Sequence, residues 1–178
     1  MSALSQAIAE RAKRVRLMAF DVDGVLTDGT LWYGASGEEL KRFHAFDGHG
    51  MKMLGASGVA CALLSGRRSL AVATRASELG VPHVLQGIED KRKEFERLLA
   101  RLRFSYDESG FMGDELVDLP VLTRCGFAAA PREAPETVRS RVHYVAAAPA
   151  GRGAAREVCE LIMRAQGTLE RALQTYLA

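Results

Sequence analysis

Short apolar runs and longer amphipathic stretches alternate along most of this chain. Runs over 16–21, 59–64, 83–86, 110–113, 127–129 and 143–145 read as buried strands. Between them, 50–57, 68–79, 90–102 and 116–124 read as helices, and a last long helix covers 154–166. Strand and helix in this order predict a doubly wound, mainly parallel α/β sheet of Rossmann-like type. One segment breaks the rhythm. "TLWYGASGEELKRF", residues 30–43, has two short alternating runs around Gly-Ala-Ser-Gly and predicts a β-hairpin inserted after the first strand. No repeat, low-complexity tract or linker stands out, so the 178 residues are expected to form one domain, 1–178.

Composition removes several classes of function. A hydrophobic content of 48%, a charged content of 26% and a net charge of +2 describe a globular chain with no global argument for nucleic acid or membrane. The basic cluster "RAKRVR", 11–16, reads as the solvated face of a short N-terminal helix. The longest apolar run, "VACALL", has six residues and is too short to span a bilayer. "MSALSQAIAER" lacks the apolar region of a signal peptide. Cys61, Cys125 and Cys159, odd in number and set among apolar residues, read as reduced core cysteines. A cytoplasmic protein is the expectation.

The candidate chemistry lies where apolar strands stop. "AFD" ends at Asp21, "LLS" at Ser65 and "FMGD" at Asp114. The carboxyl ends of strands in an open parallel sheet line one edge, where ligands bind, so these three are expected to share a crevice. Asp118 lies four residues past Asp114, within one helical turn, and Lys91 stands at a helix start that faces the same edge. Two carboxylates 4 Å apart repel by about 4 kcal/mol at an effective dielectric of 20. A divalent cation offsets that, and an all-oxygen set suits Mg²⁺ better than zinc. One carboxylate can then attack phosphorus, and Asp23, two residues on, can protonate the leaving oxygen and later activate water. Ser65 and Lys91 supply donors for phosphoryl oxygens. Each residue also has a plain reading: Asp-Val-Asp-Gly as an Asx turn, Ser65 or Asp114 as a helix cap, Lys91 as a solvated side chain. An EF-hand is excluded by Val25 and Leu26. Order and placement favour a shared site.

With "DVDGVLTDG", "LLSGR", Lys91 in "GIEDK" and "GDELVD" in that order, the chain resembles the haloacid dehalogenase superfamily of phosphotransferases. The resemblance implies Asp21 as nucleophile, Asp23 as acid/base, and Ser65 and Lys91 as phosphate ligands. It implies Mg²⁺ held by Asp21, the Asp23 backbone carbonyl and Asp114, with Asp118 supporting. An aspartate at position 23 is what the phosphatases of this superfamily carry. Neither gap between motifs has room for a separate cap domain. "FHAFDGHGMKML", "SGRRSLAVATRASELG" and "GRGAAREVCELIMRAQG" resemble the 3-deoxy-D-manno-octulosonate 8-phosphate phosphatase family, homotetrameric enzymes of lipopolysaccharide synthesis. That resemblance implies sugar-acid contacts from His44, Ala45, Phe46, Asp47, Gly48, Lys52, Arg67 and Arg75, besides Asp23 and Lys91. It also implies a C-terminal segment reaching a neighbour's site. The chain departs from the family at Phe46, where relatives often carry arginine, and at Glu115, which replaces a common aspartate.

Other readings stay open. Lys52, Arg67 and Arg75 also suit solvated helix faces, and Met51, Met53 and Leu54 suit packing. His44 and His49 have no zinc spacing with a third ligand. "GRGAAR" lacks the third glycine of a dinucleotide fingerprint. A phospho-receiver domain shares the ingredients but would phosphorylate an aspartate on its third strand and carry its lysine after the fifth. A catalytically idle oligomerisation module and a phosphatase for a nonulosonic acid 9-phosphate are the remaining alternatives.

Overall fold

The structure, a computed structural model, describes residues 6–35, 37 and 39–177. Six strands form a parallel sheet: β1 (Leu17–Phe20), β4 (Ala60–Ser65), β5 (His83–Gln86), β6 (Ser109–Met112), β7 (Phe127–Ala130) and β8 (Tyr144–Val145), in the order β5-β4-β1-β6-β7-β8. β1 pairs with β4 from Leu17 against Ala60 and with β6 from Leu17 against Ser109. The strands β2 (Trp32–Tyr33) and β3 (Glu39–Leu40) form a separate antiparallel ribbon, the expected hairpin, with Trp32 opposite Leu40. Its Gly-Ala-Ser-Gly turn includes Ser36, which lies outside the described residues, as do residues 1–5 of the N-terminal reading.

Both faces of the sheet are covered, which is why the central strands read as continuous apolar runs instead of alternating ones. Met18 and Phe20 pack toward α2 (Ala45–Ala56), α3 (Leu70–Leu79) and α7 (Ala154–Ala165), beside α1 (Gln6–Lys13). Leu17 and Ala19 pack on the other face toward α4 (Lys91–Leu102), α5 (Leu119–Leu122) and α6 (Glu136–Arg139). From β1 the chain winds outward through β4 and β5, then returns to β6 on the other side of β1. The order therefore reverses beside β1, and the crevice of a doubly wound sheet opens at such a point.

Several expectations shift in detail. α2 begins at Ala45, five residues before the expected start, because His44 caps it by accepting from the Phe46 amide. Gly48, ahead of the expected helix, and Gly50, its expected first residue, are both helical and let neighbours approach: a Cβ at Gly50 would lie 3.0 Å from Arg156 Cα on α7. The stretch 116–124 is a 3₁₀ turn (Leu116–Asp118) followed by the one-turn α5. Arg11 is not simply solvated, since its guanidinium donates to the Gly126 carbonyl at 3.0 Å. Met51, Met53 and Leu54 are core, and the three cysteines are buried and free. Beyond Gly167, α8 (Leu169–Gln174) folds against its own chain: Leu169 is buried and the Tyr176 ring meets His49 edge-on at 5.4 Å. No helix among the described residues is long and apolar enough to cross a membrane.

Candidate active site

Asp21 follows β1 directly, and its amide donates to the Met112 carbonyl at 2.9 Å, extending the β1–β6 ladder past the strand end. The chain then turns tightly. Leu26 and Thr27 amides both return to the Val22 carbonyl, at 2.9 and 3.0 Å, and the Thr27 hydroxyl accepts from Gly29 N at 3.2 Å. Gly24 sits at φ +83°, and a Cβ there would come within 2.0 Å of Asp114 Oδ2, so only glycine lets this loop lie against that carboxylate. The "GRG" segment buttresses it from below: Gly151 N donates to the Val25 carbonyl at 2.9 Å, leaving no room for a side chain over Thr27. That is a packing role for a motif with a weak dinucleotide look.

Asp21, Asp114 and Asp118 can each bring one carboxylate oxygen within 4.8 Å of the others. Asp118 is fully buried and committed: Oδ2 accepts from the Asp114 and Glu115 amides at 3.0 and 3.1 Å, and Oδ1 from Lys91 Nζ at 2.5 Å. Asp118 therefore fastens the loop and Lys91 together. Lys91 also reaches Asp21 Oδ2 at 3.0 Å. Burial works against its charge, but Asp21 and Asp118 more than offset this and hold its pKa above the ordinary value. Asp90 caps the same helix through the Lys93 amide at 3.0 Å, which aims Lys91 at the sheet edge.

The remaining carboxylates are strained. Burial, then the charge of Asp118, raises the Asp21 carboxyl to about 7 despite Lys91. Burial, then Asp21 and Asp118, raises Asp114 to about 8. Asp114 Oδ1 is buried with no hydrogen-bond partner. A buried acceptor without a donor, beside two further carboxylates, suits a hard divalent cation, whose preferred ligands are oxygens. The donor set fits one.

Ser65 ends β4, the neighbour of β1, and its hydroxyl accepts from Arg67 N at 3.2 Å. Asp23 gives its carboxylate to Lys41 and turns it toward Arg67, whose Nε lies 4.0 Å from Oδ2, and it is not in the acidic cluster. Its side chain is thus outside the metal cluster, which leaves only its backbone carbonyl for that role. Arg67 also donates to the Tyr33 hydroxyl on the hairpin. Lys41 and Tyr33 were missed by sequence reasoning, because nothing in spacing or type marks a lysine and a tyrosine on a hairpin as site residues.

The sugar-contact positions separate into groups. His44, Ala45 and the exposed Phe46 open α2. Arg75 lies against Gly48, where a Cβ would meet its Nη2 at 2.3 Å. Two of these positions are placed differently. The Asp47 carboxylate is buried and turned toward α7, accepting from Gly153 N at 3.0 Å and Arg156 N at 2.9 Å. Lys52 stands about two turns down α2, in a groove with Val59 and Pro82 at the N-terminal ends of β4 and β5. Within one chain that is the opposite edge of the sheet from Asp21.

Acidic cluster, lysine and strand-end serine, all at the carboxyl edge of a doubly wound sheet, define a hydrolase site of the haloacid dehalogenase type. No family model matches the chain. It is 41% identical over 165 residues to the 3-deoxy-D-manno-octulosonate 8-phosphate phosphatase KdsC of Yersinia pestis, covering 93% of this chain and 88% of that one. A probable YrbI family phosphatase structure from Pseudomonas syringae superposes with a TM-score of 0.96 at 48% identity, covering 98% of this chain and 99% of that one. The Moraxella catarrhalis 3-deoxy-D-manno-octulosonate 8-phosphate phosphatase, in complex with magnesium, phosphate and KDO, superposes at 0.95 and 36% identity, covering 97% and 99%. The chain belongs to the 3-deoxy-D-manno-octulosonate 8-phosphate phosphatase family and is a phosphomonoesterase.

Proposed function

We infer that this chain hydrolyses 3-deoxy-D-manno-octulosonate 8-phosphate to the free sugar acid and phosphate, with Mg²⁺, in lipopolysaccharide synthesis. The observation that carries the reading is the likeness at 36% identity to an enzyme holding magnesium, phosphate and KDO, combined with an intact Asp21–Lys91–Asp118–Asp114 cluster. Asp21, Asp114 and the Asp23 carbonyl would hold Mg²⁺, which supplies charge neutralisation for the phosphoryl group when bound.

The chain's own residues do the rest. Lys91 Nζ and Ser65 Oγ orient the phosphoryl oxygens. An Asp21 carboxylate oxygen attacks phosphorus in line with the sugar oxygen and forms an aspartyl-phosphate. Asp23 gives its proton to the leaving oxygen, then takes one from the water that releases phosphate. Arg67 beside Asp23, with His44, Ala45, Phe46, Gly48 and Arg75, contributes the sugar-acid contacts.

The test is phosphate release, with Mg²⁺, from a panel of the eight-carbon acid 8-phosphate, a nine-carbon acid 9-phosphate and neutral hexose phosphates. We expect the highest kcat/KM for 3-deoxy-D-manno-octulosonate 8-phosphate. A clear preference for the nine-carbon acid or for hexose phosphates would overturn the substrate assignment.

A further inference from the structure

Lys41 stands outside every motif in the sequence, yet its side chain is 1% exposed and its ammonium bonds the Asp23 carboxylate. An ammonium on the return strand of an exposed hairpin ordinarily stays in water, and burying it is costly without a partner. Here the residue after β3 turns its head inward. Nζ takes Asp23 Oδ1, while Oδ2 looks toward Arg67 Nε at 4.0 Å, beyond hydrogen-bond reach. One carboxylate oxygen is anchored by a hydrogen bond, and the other has only the longer ion pair with Arg67.

We propose that Lys41 is a positioning residue for the acid/base carboxylate, fixing the Asp23 rotamer so that Oδ2 faces the leaving oxygen. This rests on the roles given above to Asp21 and Asp23. In the step concerned, an Asp21 oxygen bonds to phosphorus as the bond from phosphorus to the sugar oxygen breaks. The bonding pair stays on the sugar oxygen, which takes the proton from Asp23 Oδ2. Lys41 keeps its own protons and remains beside the carboxylate so formed. Placement of a general acid to within a fraction of an ångström matters at this step, because proton transfer requires hydrogen-bond contact.

The dependence on leaving group separates this role from a general loss of structure. A sugar alkoxide needs a proton to depart, whereas p-nitrophenolate leaves without one. Wild type, Lys41→Met and Lys41→Gln are compared on p-nitrophenyl phosphate and on the sugar-acid phosphate that wild type turns over best, with Mg²⁺. The ratio of the two kcat/KM values does not depend on the folded fraction, so a partly unfolded variant still gives an answer. Lys41→Met should lose about 100-fold on the sugar phosphate and less than about threefold on the aryl phosphate. Lys41→Gln, which keeps a donor, should show the same asymmetry in smaller measure. Equal losses on both substrates would overturn the proposal. A wild type inactive on every alkyl phosphate would instead remove the functional reading, and the proposal with it.

Discussion

The carboxylates at the ends of β1 and β6 are held in an unfavourable state by their own surroundings. Asp21 and Asp114, raised to about 7 and about 8, sit well above the ordinary carboxylate range near 4. Between about pH 4 and pH 8 these two groups therefore hold more protons in the folded, metal-free protein than in the unfolded chain. Their contribution to the unfolding free energy falls as pH rises through that window. Bound Mg²⁺ reverses the penalty, so the gain in Tm on adding Mg²⁺ should be larger at pH 8 than at pH 6, measured by thermal melts against EDTA. Asp21→Asn removes one of the strained groups. It should flatten the metal-free decline while lowering turnover by roughly a thousandfold or more. Near-normal turnover in Asp21→Asn would mean that another group attacks phosphorus, and a metal-free pH dependence of Tm that Asp21→Asn leaves unchanged would mean the cluster is not strained. Asp21, Asp114 and Ser65 were legible because polar residues ended apolar strands, and Asp118 and Lys91 followed from their places at helix starts. Lys41 was not, since its burial depends on a hairpin folding back over the sheet edge.

The strands of the sheet were legible whether fully buried, as β1 and β6 are, or partly exposed, as β5 is. The strand over 83–86 was found at its observed bounds, and the other five strands of the sheet to within a residue or so at each end. The first turn of α2, Ala45–His49, lies ahead of the expected helix, and no pattern within the helix says that α7 crosses there. The short α6 and α8 have too few residues to show a period, and both went unpredicted. The α2–α7 contact can be tested through Gly50. Alanine there would gain up to about 1 kcal/mol of helix propensity. However, its Cβ would press on Arg156, 2.7 Å from Cδ and 3.0 Å from Cα, and part of that contact is backbone that cannot rotate away. Overpacking of this kind costs about 1–3 kcal/mol. We expect Gly50→Ala to lower Tm by a few degrees in a thermal melt. A rise in Tm would show that the two helices have slack.

The whole molecule raises the question of what covers the site. No inserted cap occurs among the described residues, yet phosphoryl transfer benefits from exclusion of water. The hairpin carries exposed Leu31, Trp32, Tyr33 and Leu40, with exposed Phe46 nearby in sequence at the start of α2. Large apolar side chains grouped on the surface of an otherwise well-packed fold mark an interaction surface. The chemistry of this surface suits a second copy of the chain, because a homo-oligomer would cover apolar hairpins with apolar hairpins. We therefore expect the homotetramer implied by the family resemblance, seen by light scattering of the purified protein. A charge placed in the patch, Trp32→Glu with Leu40→Glu, should dissociate it, because two buried unpaired carboxylates per chain would oppose association. Neither residue belongs to the acidic cluster. Loss of activity on both the sugar phosphate and p-nitrophenyl phosphate, in parallel with dissociation, would therefore report loss of the cover, since displacement of Lys41 alone spares the aryl phosphate. The control is the Mg²⁺-induced rise in Tm, which should survive if the acidic cluster is intact. A dissociated variant with full kcat/KM would show that each chain closes its own site.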